Sequence, residues 1–209
     1  MPDRLTLVDD LVVLGLDRTG RHNLQYTAFG YALAGAALTE LVLTGRITVD
    51  ADRLAAQDTT ATGHPVLDAA LQRVARAGRP ISAARVIRPV SKGARSATLR
   101  HLVDIGVLHR EPGGLLTRPR YAAPPGGPDV RARLIEDIRA ALGSDAAGDA
   151  HTAALCAFVA RLRWGRRLLP DLADRTLHQR LTAAGAGTWG PEAVRTALDA
   201  VFIMPRAGY

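Results

Sequence analysis

Residues Thr27–Thr44 read TAFGYALAGAALTELVLT, and this stretch decides the architecture. It predicts a helix from about residue 27 to residue 44. Gly30, Ala34, Gly35, Ala36 and Ala37 leave room for neighbouring backbones to approach closely, which suits a helix in the middle of a bundle. Gly45 stops it in the usual carboxy-cap position. Arg46-Ile-Thr-Val49 then alternates like a short strand.

Working outward, Leu5, Val8, Leu11, Val12 and Leu16 recur at helical spacing, with Thr6 placed to cap and Asp9 and Asp10 in the first turn. Asp50 to His64 looks irregular. Pro65–Arg76 reads as helix, with Val66, Leu67, Ala70, Leu71 and Val74 on one side. Ile81–Ile87 is a short helix ended by Pro89, and Gly93–Ile105 is another. Val107-Leu-His109 and Leu115-Leu-Thr117 flank Arg110-Glu-Pro-Gly-Gly114, the turn chemistry of a hairpin. Helices follow over Val130–Leu142, Thr152–Leu169, Leu172–Ala184 and Pro191–Met204. No internal repeat and no long linker intervenes. The fold class is mainly α: a compact, single-domain helical bundle over residues 1–209 with a short β-hairpin.

Composition agrees. The chain has 47% hydrophobic and 22% charged residues, which are globular proportions. One cysteine, Cys156, excludes a disulfide framework and any multi-cysteine zinc site. Its apolar setting, AALCAFVAR, predicts a buried thiol in a reducing compartment. The amino terminus carries acids where a signal peptide would carry a basic flank. The longest stretch free of Asp, Glu, Lys and Arg, His22–Thr39, is too polar for a good spanning helix. The expectation is a cytoplasmic protein able to associate reversibly with a membrane surface.

The net charge is +7, and its distribution matters more than its size. Between Asp68 and Asp104 lie 35 residues without one carboxylate. They hold Arg73, Arg76, Arg79, Arg85, Arg88, Lys92, Arg95 and Arg100, so this segment carries +8 and the rest of the chain sums to −1. A focused positive field implies an anionic partner.

Four motifs occur in order: LTLVDDLVVLGLD, LAGAALTELVLTGRI, TATGHPVLDAAL and LVDIGVL. Together they resemble the Golgi phosphoprotein three family, the phosphoinositide-binding Golgi adaptors, over nearly the whole chain. The resemblance implies a helical fold with a basic membrane-facing surface that binds phosphatidylinositol 4-phosphate and holds the cytoplasmic tails of cargo proteins. In that family a tryptophan before the second helix, an arginine within it, and two basic residues opening the helix before the hairpin form the head-group pocket. The two late positions fall here on Lys92 and Arg95, the helix arginine on Ala34, and the tryptophan near Gln25, beside Tyr26. The family hairpin mediates membrane contact or self-association, and Leu115 and Leu116 are its exposed candidates here.

The residues themselves support an anion site at Lys92, Gly93 and Arg95. A helix start offers free N–H groups and a positive dipole end. Cations there cost a few tenths to ~1 kcal/mol unless an anion completes the site. Arg85 and Arg88, three apart on one helix, extend the patch; Arg73 and Arg76 repeat that spacing one helix earlier. The candidate head-group residues are therefore Lys92, Arg95, Arg88 and Arg85, to which the resemblance adds Tyr26 and Gln25.

Other groups read as structural. Asp9 and Asp10 counter a helix dipole, Glu40 is a buried or capping partner for a nearby basic group such as Arg46, and Asp68 is structural likewise. Trp164, within Arg161-Leu-Arg-Trp-Gly-Arg-Arg167, suits head groups or a partner as well as it suits capping the bundle. The six histidines show no metal spacing, so no metal and no cofactor is expected. No nucleophile elbow, phosphate loop or dinucleotide fingerprint occurs, which argues against an enzyme. The competing reading is a winged-helix-like nucleic-acid binder, in which Ser96, Thr98, Arg100 and His101 read bases and the hairpin touches the backbone. Aromatic residues at 4% disfavour single-strand stacking.

Overall fold

A computed structural model describes residues 4–17, 20, 26–51, 53–112, 119–127, 129–143 and 149–189. The helices are α1 (Leu7–Gly15), α2 (Tyr26–Leu43), α3 (Pro65–Ala75), α4 (Ala83–Val90), α5 (Ala94–Asp104), α6 (Val130–Gly143), α7 (Ala150–Arg161), α8 (Gly165–Leu168) and α9 (Leu177–Ala184). Strands β1 (Ile47–Asp50), β2 (Arg53–Ala56) and β3 (Ile81–Ser82) form one small antiparallel sheet. β4 (His109–Glu111) and β5 (Arg120–Ala122) form a second.

The core is built round two helices that expose almost nothing. Every residue of α1 is buried, Asp9 and Asp10 included. α2 packs against α1, α3, α4, α5 and α7, as its small residues predict. At Gly30 the reason is steric: a Cβ there would lie 2.8 Å from the Ser91 carbonyl oxygen. Thr6 caps α1 as expected, and Asp9 completes a capping box with it. At the other end, Arg167 donates to the Leu14 and Gly15 carbonyls at 2.8 and 3.3 Å, satisfying acceptors that a helix end leaves open.

Four expectations need correction. The segment from Asp50 to His64 is irregular only from residue 57 to residue 64; before that β2 returns along β1, with Ile47 opposite Ala56, and β3 adds a third strand. The hairpin is present, but its second strand is Arg120–Ala122, with Glu111 opposite Arg120. A strand over residues 115–117 lies outside the described residues, as does a helix over 191–204. Pro89 does not end α4; it sits within the last turn. The helix expected over 152–169 breaks after Arg161, where Arg163 takes φ 56°, and restarts as α8.

Candidate functional site

The carboxylate-free segment folds into α3's second half, β3, α4 and α5. α4 is amphipathic: Ala83, Val86, Ile87 and Val90 are buried, while Arg85 and Arg88 are exposed. Between α3 and α4 lies an open cavity of about 540 Å³. Its lining runs from Ala69 to Lys92, wholly within that segment, so no carboxylate faces it. Arg73, Arg76, Arg85 and Lys92 supply its charge.

Arg73 Nε donates to the Arg85 carbonyl oxygen at 3.2 Å, tying the arginine across the groove from α3 to α4. Arg76 Nη2 leans on the Gln72 amide oxygen at 3.4 Å. Both acceptors are neutral, so neither guanidinium has its charge cancelled. Among the described residues, none of the four cations forms an ion pair.

The predicted site residues separate on this surface. Arg85 and Lys92 line the cavity, while Arg88 is exposed on α4 outside that lining and Arg95 is half-buried on α5. Gly93 carries the chain between the helices at φ 82°, a left-handed conformation that suits glycine; Lys92 before it lines the cavity, and Arg95 after it does not. Arg73 and Arg76, first noted only as a repeated spacing, supply one wall. Their signal was present in the missing carboxylates, since nothing in the segment offered them an internal partner. Ala34 is buried in the core. Gln25, Leu115 and Leu116 lie outside the described residues; Tyr26 opens α2.

A second constellation was not foreseen. Asp9 and Asp10 point to opposite sides of α1, each into a buried histidine. Asp9 Oδ1 meets His64 Nε2 at 3.2 Å, and Asp10 Oδ2 meets His151 Nε2 at 2.7 Å. The other carboxylate oxygen of Asp9 accepts from the Thr6 N–H and hydroxyl. Glu40 is not Arg46's partner: it accepts from the Leu7 N–H at 2.9 Å and lies 3.6 Å from His151 Nδ1. Arg46 pairs with Asp58 instead. Burial pushes the Asp10 carboxyl up to about 6, helped by the charges of Asp9 and Glu40 and opposed by the His151 hydrogen bond. The dipole role assigned to the two aspartates is thus too small a role. A helix with no exposed face must pair any charge it carries.

His101 lies edge-on to His64, ring centroids 4.6 Å apart, and Asp9, His64 and His101 each bring a potential ligand atom within 4.8 Å of the others. The protons do not fit a metal ion. His64 Nδ1 accepts from the Val66 and Leu67 N–H groups as the cap of α3, so the ring proton sits on Nε2 and is donated to Asp9. That leaves His64 no lone pair for a cation without breaking the helix cap. Burial also holds the His101 imidazole below its ordinary range.

Asp68 is structural as expected, accepting from the Thr62 N–H and hydroxyl. Trp164 is buried against Phe29, with the Arg167 guanidinium stacked over its ring, so it caps the bundle. Of the four base readers on α5, Thr98 is buried and bonded to the Ala94 carbonyl, and His101 rests against His64.

A buried two-helix hub packed among the other helices, with two small antiparallel sheets, defines the mainly helical class to which this chain belongs. The family model for Golgi phosphoprotein 3 (GPP34) matches residues 7–201, and the chain belongs to that family. No curated protein matches it in sequence. Among the described residues, no helix is long and apolar enough to cross a membrane.

Proposed function

We propose that this protein is a peripheral membrane adaptor that binds anionic, inositol-type lipid head groups through the face formed by α3, α4 and the start of α5. The observation that carries this reading is the convergence of Arg73, Arg76, Arg85 and Lys92 on one cavity without a lining carboxylate. Each such cation near an acidic bilayer contributes on the order of 1 kcal/mol. Four together hold a protein on acidic lipid reversibly. Arg88 and Arg95 widen the field around the cavity. Family membership supports the same reading, and the monophosphorylated inositol head group and protein-tail cargo of the resemblance belong to it. Self-association through the hairpin is the remaining partner it implies.

Nucleic acid is the weaker partner, because two of the four candidate base readers are committed inside the fold. Vesicle co-sedimentation tests the choice. Binding to phosphoinositide vesicles should exceed binding to phosphatidylserine vesicles of equal surface charge, and Arg85→Ala/Lys92→Ala should abolish the excess without moving Tm. Equal binding to both vesicles would reduce the site to a nonspecific basic surface. Sequence-selective duplex binding at physiological salt would replace the reading altogether.

A further inference from the structure

We infer that the cavity under the β4–β5 hairpin binds a small carboxylic acid with a hydrocarbon body, its carboxylate held by Arg131 and its chain seated against the end of α1 and the α5–β4 turn. This cavity shares no lining residue with the α3–α4 groove, so the inference stands apart from the lipid-surface reading.

Shape comes first. The hairpin, the end of α1, the turn after α5 and the start of α6 surround about 550 Å³, within the ~300–1,000 Å³ range of small-ligand sites. Five apolar side chains, Val13, Leu16, Val107, Leu108 and Val130, are buried at its floor. The hairpin is docked on the body of the protein: the Tyr121 N–H donates to the Gly20 carbonyl at 3.0 Å, and the two backbones approach so closely that Gly20 has no room for a Cβ. A hydrocarbon fits such a floor because it leaves water without meeting a polar group that it cannot satisfy.

Charge then selects the head of the ligand. Arg131 is the second residue of α6, where the helix dipole disfavours a cation. Its Nε is shut off from water and has no acceptor, and among the described residues the side chain makes no hydrogen bond or ion pair. A like charge lies near it: burial, and then the charge of Arg131, lower the Arg167 guanidinium. Arg167 is itself committed to the Leu14 and Gly15 carbonyls. Three acids also line the cavity, and each has a counterpart. Asp129 accepts from the Ala132 N–H in the first turn of α6, Asp17 is engaged and acts on Arg167, and Glu111 stands opposite Arg120 on the paired strands. Arg131 is the group left over. A guanidinium offers a carboxylate two parallel N–H donors, so one monoanion supplies the missing acceptors and the missing charge together.

Calorimetric titration with octanoate, octan-1-ol and octylammonium, each below its aggregation concentration, tests the site. Expected is octanoate binding at least tenfold tighter than octanol, with octylammonium the weakest. Arg131→Gln should bring octanoate within twofold of octanol while leaving Tm unchanged. Arg133→Gln, an exposed position on the same helix, should keep the preference. Ala122→Leu, which fills part of the cavity from β5, should weaken octanoate and octanol alike. Octylammonium binding tightest would mean that the acids govern the cavity, and overturns the inference. Equal affinity for octanoate and octanol, binding of none of the three, or a preference that survives Arg131→Gln overturns it as well.

Discussion

The two ends of α3 treat charge in opposite ways. At its start, His64 caps the helix with one ring nitrogen and binds buried Asp9 with the other, while Asp68 is held by Thr62. At its far end, Arg73 and Arg76 face an open groove and lean on neutral oxygens. Charge matched inside the fold holds architecture; charge left unmatched at the surface is available to a partner. Substitution at each end should therefore move different observables. His64→Ala removes the cap of α3 and strips Asp9 of a buried partner, and should cost about 3 kcal/mol of unfolding free energy. Arg73→Ala should stay within about 0.5 kcal/mol of the unmodified protein. Vesicle affinity should respond the other way round once the folded fraction is corrected for. Urea unfolding checks the pair, and equal losses at both ends would erase the distinction.

Gly30 tests whether the two regions are mechanically joined. α2 belongs to the buried hub, yet at Gly30 it touches the Ser91 carbonyl, one residue before Lys92. A methyl group there must displace backbone, which typically costs about 1–3 kcal/mol. Gly30→Ala should thus lower stability and also weaken vesicle binding by shifting Lys92. Gly143→Ala is the control. It ends α6, a Cβ would meet nothing within 4 Å, and it should be neutral or slightly stabilising. If Gly30→Ala destabilises but binding per folded molecule is unchanged, the hub does not set the position of the groove.

How far these regions were legible differs for a physical reason. Helix existence followed from apolar periodicity, the Thr6 cap from its spacing to Asp9, and the central place of α2 from its small residues. The groove was half legible: the absence of carboxylates marked the segment, but only folding showed that Arg73 and Arg76 meet Arg85 and Lys92 while Arg95 turns elsewhere. The β2–β3 addition was missed because two- to four-residue strands leave too few alternations to detect. The histidine–carboxylate network was missed because its partners are far apart in sequence: His64 lies 55 residues from Asp9, and His151 lies 141 from Asp10. One clue was readable. Two adjacent acids inside VDDLVVL, a helix apolar on every side, need partners from elsewhere in the chain.

The smallest effect concerns the proton on Asp10. Its neighbours are His151 on α7, Glu40 on α2 and Asp9 beside it on α1. The short His151 contact favours the charged carboxylate, but burial outweighs it and raises the folded pKa from 3.8 to about 6. The folded state therefore holds this proton more tightly than the unfolded chain does. The resulting stabilisation is complete below pH 3.8 and is lost as pH rises through about 6. Between pH 5 and pH 7 the loss is about 1 kcal/mol. His101 acts in the opposite sense: with its folded pKa lowered, its contribution is present above its ordinary value of 6.5 and fades as pH falls. Asp10→Asn cancels the first dependence and leaves the second. Urea unfolding of both proteins at pH 5 and pH 7 isolates Asp10 as a double difference, with the unmodified protein gaining about 1 kcal/mol more on acidification than the variant. A double difference of zero would mean that His151 fully compensates the buried charge, and the hub would then be as indifferent to this pH range as the arginine-lined groove.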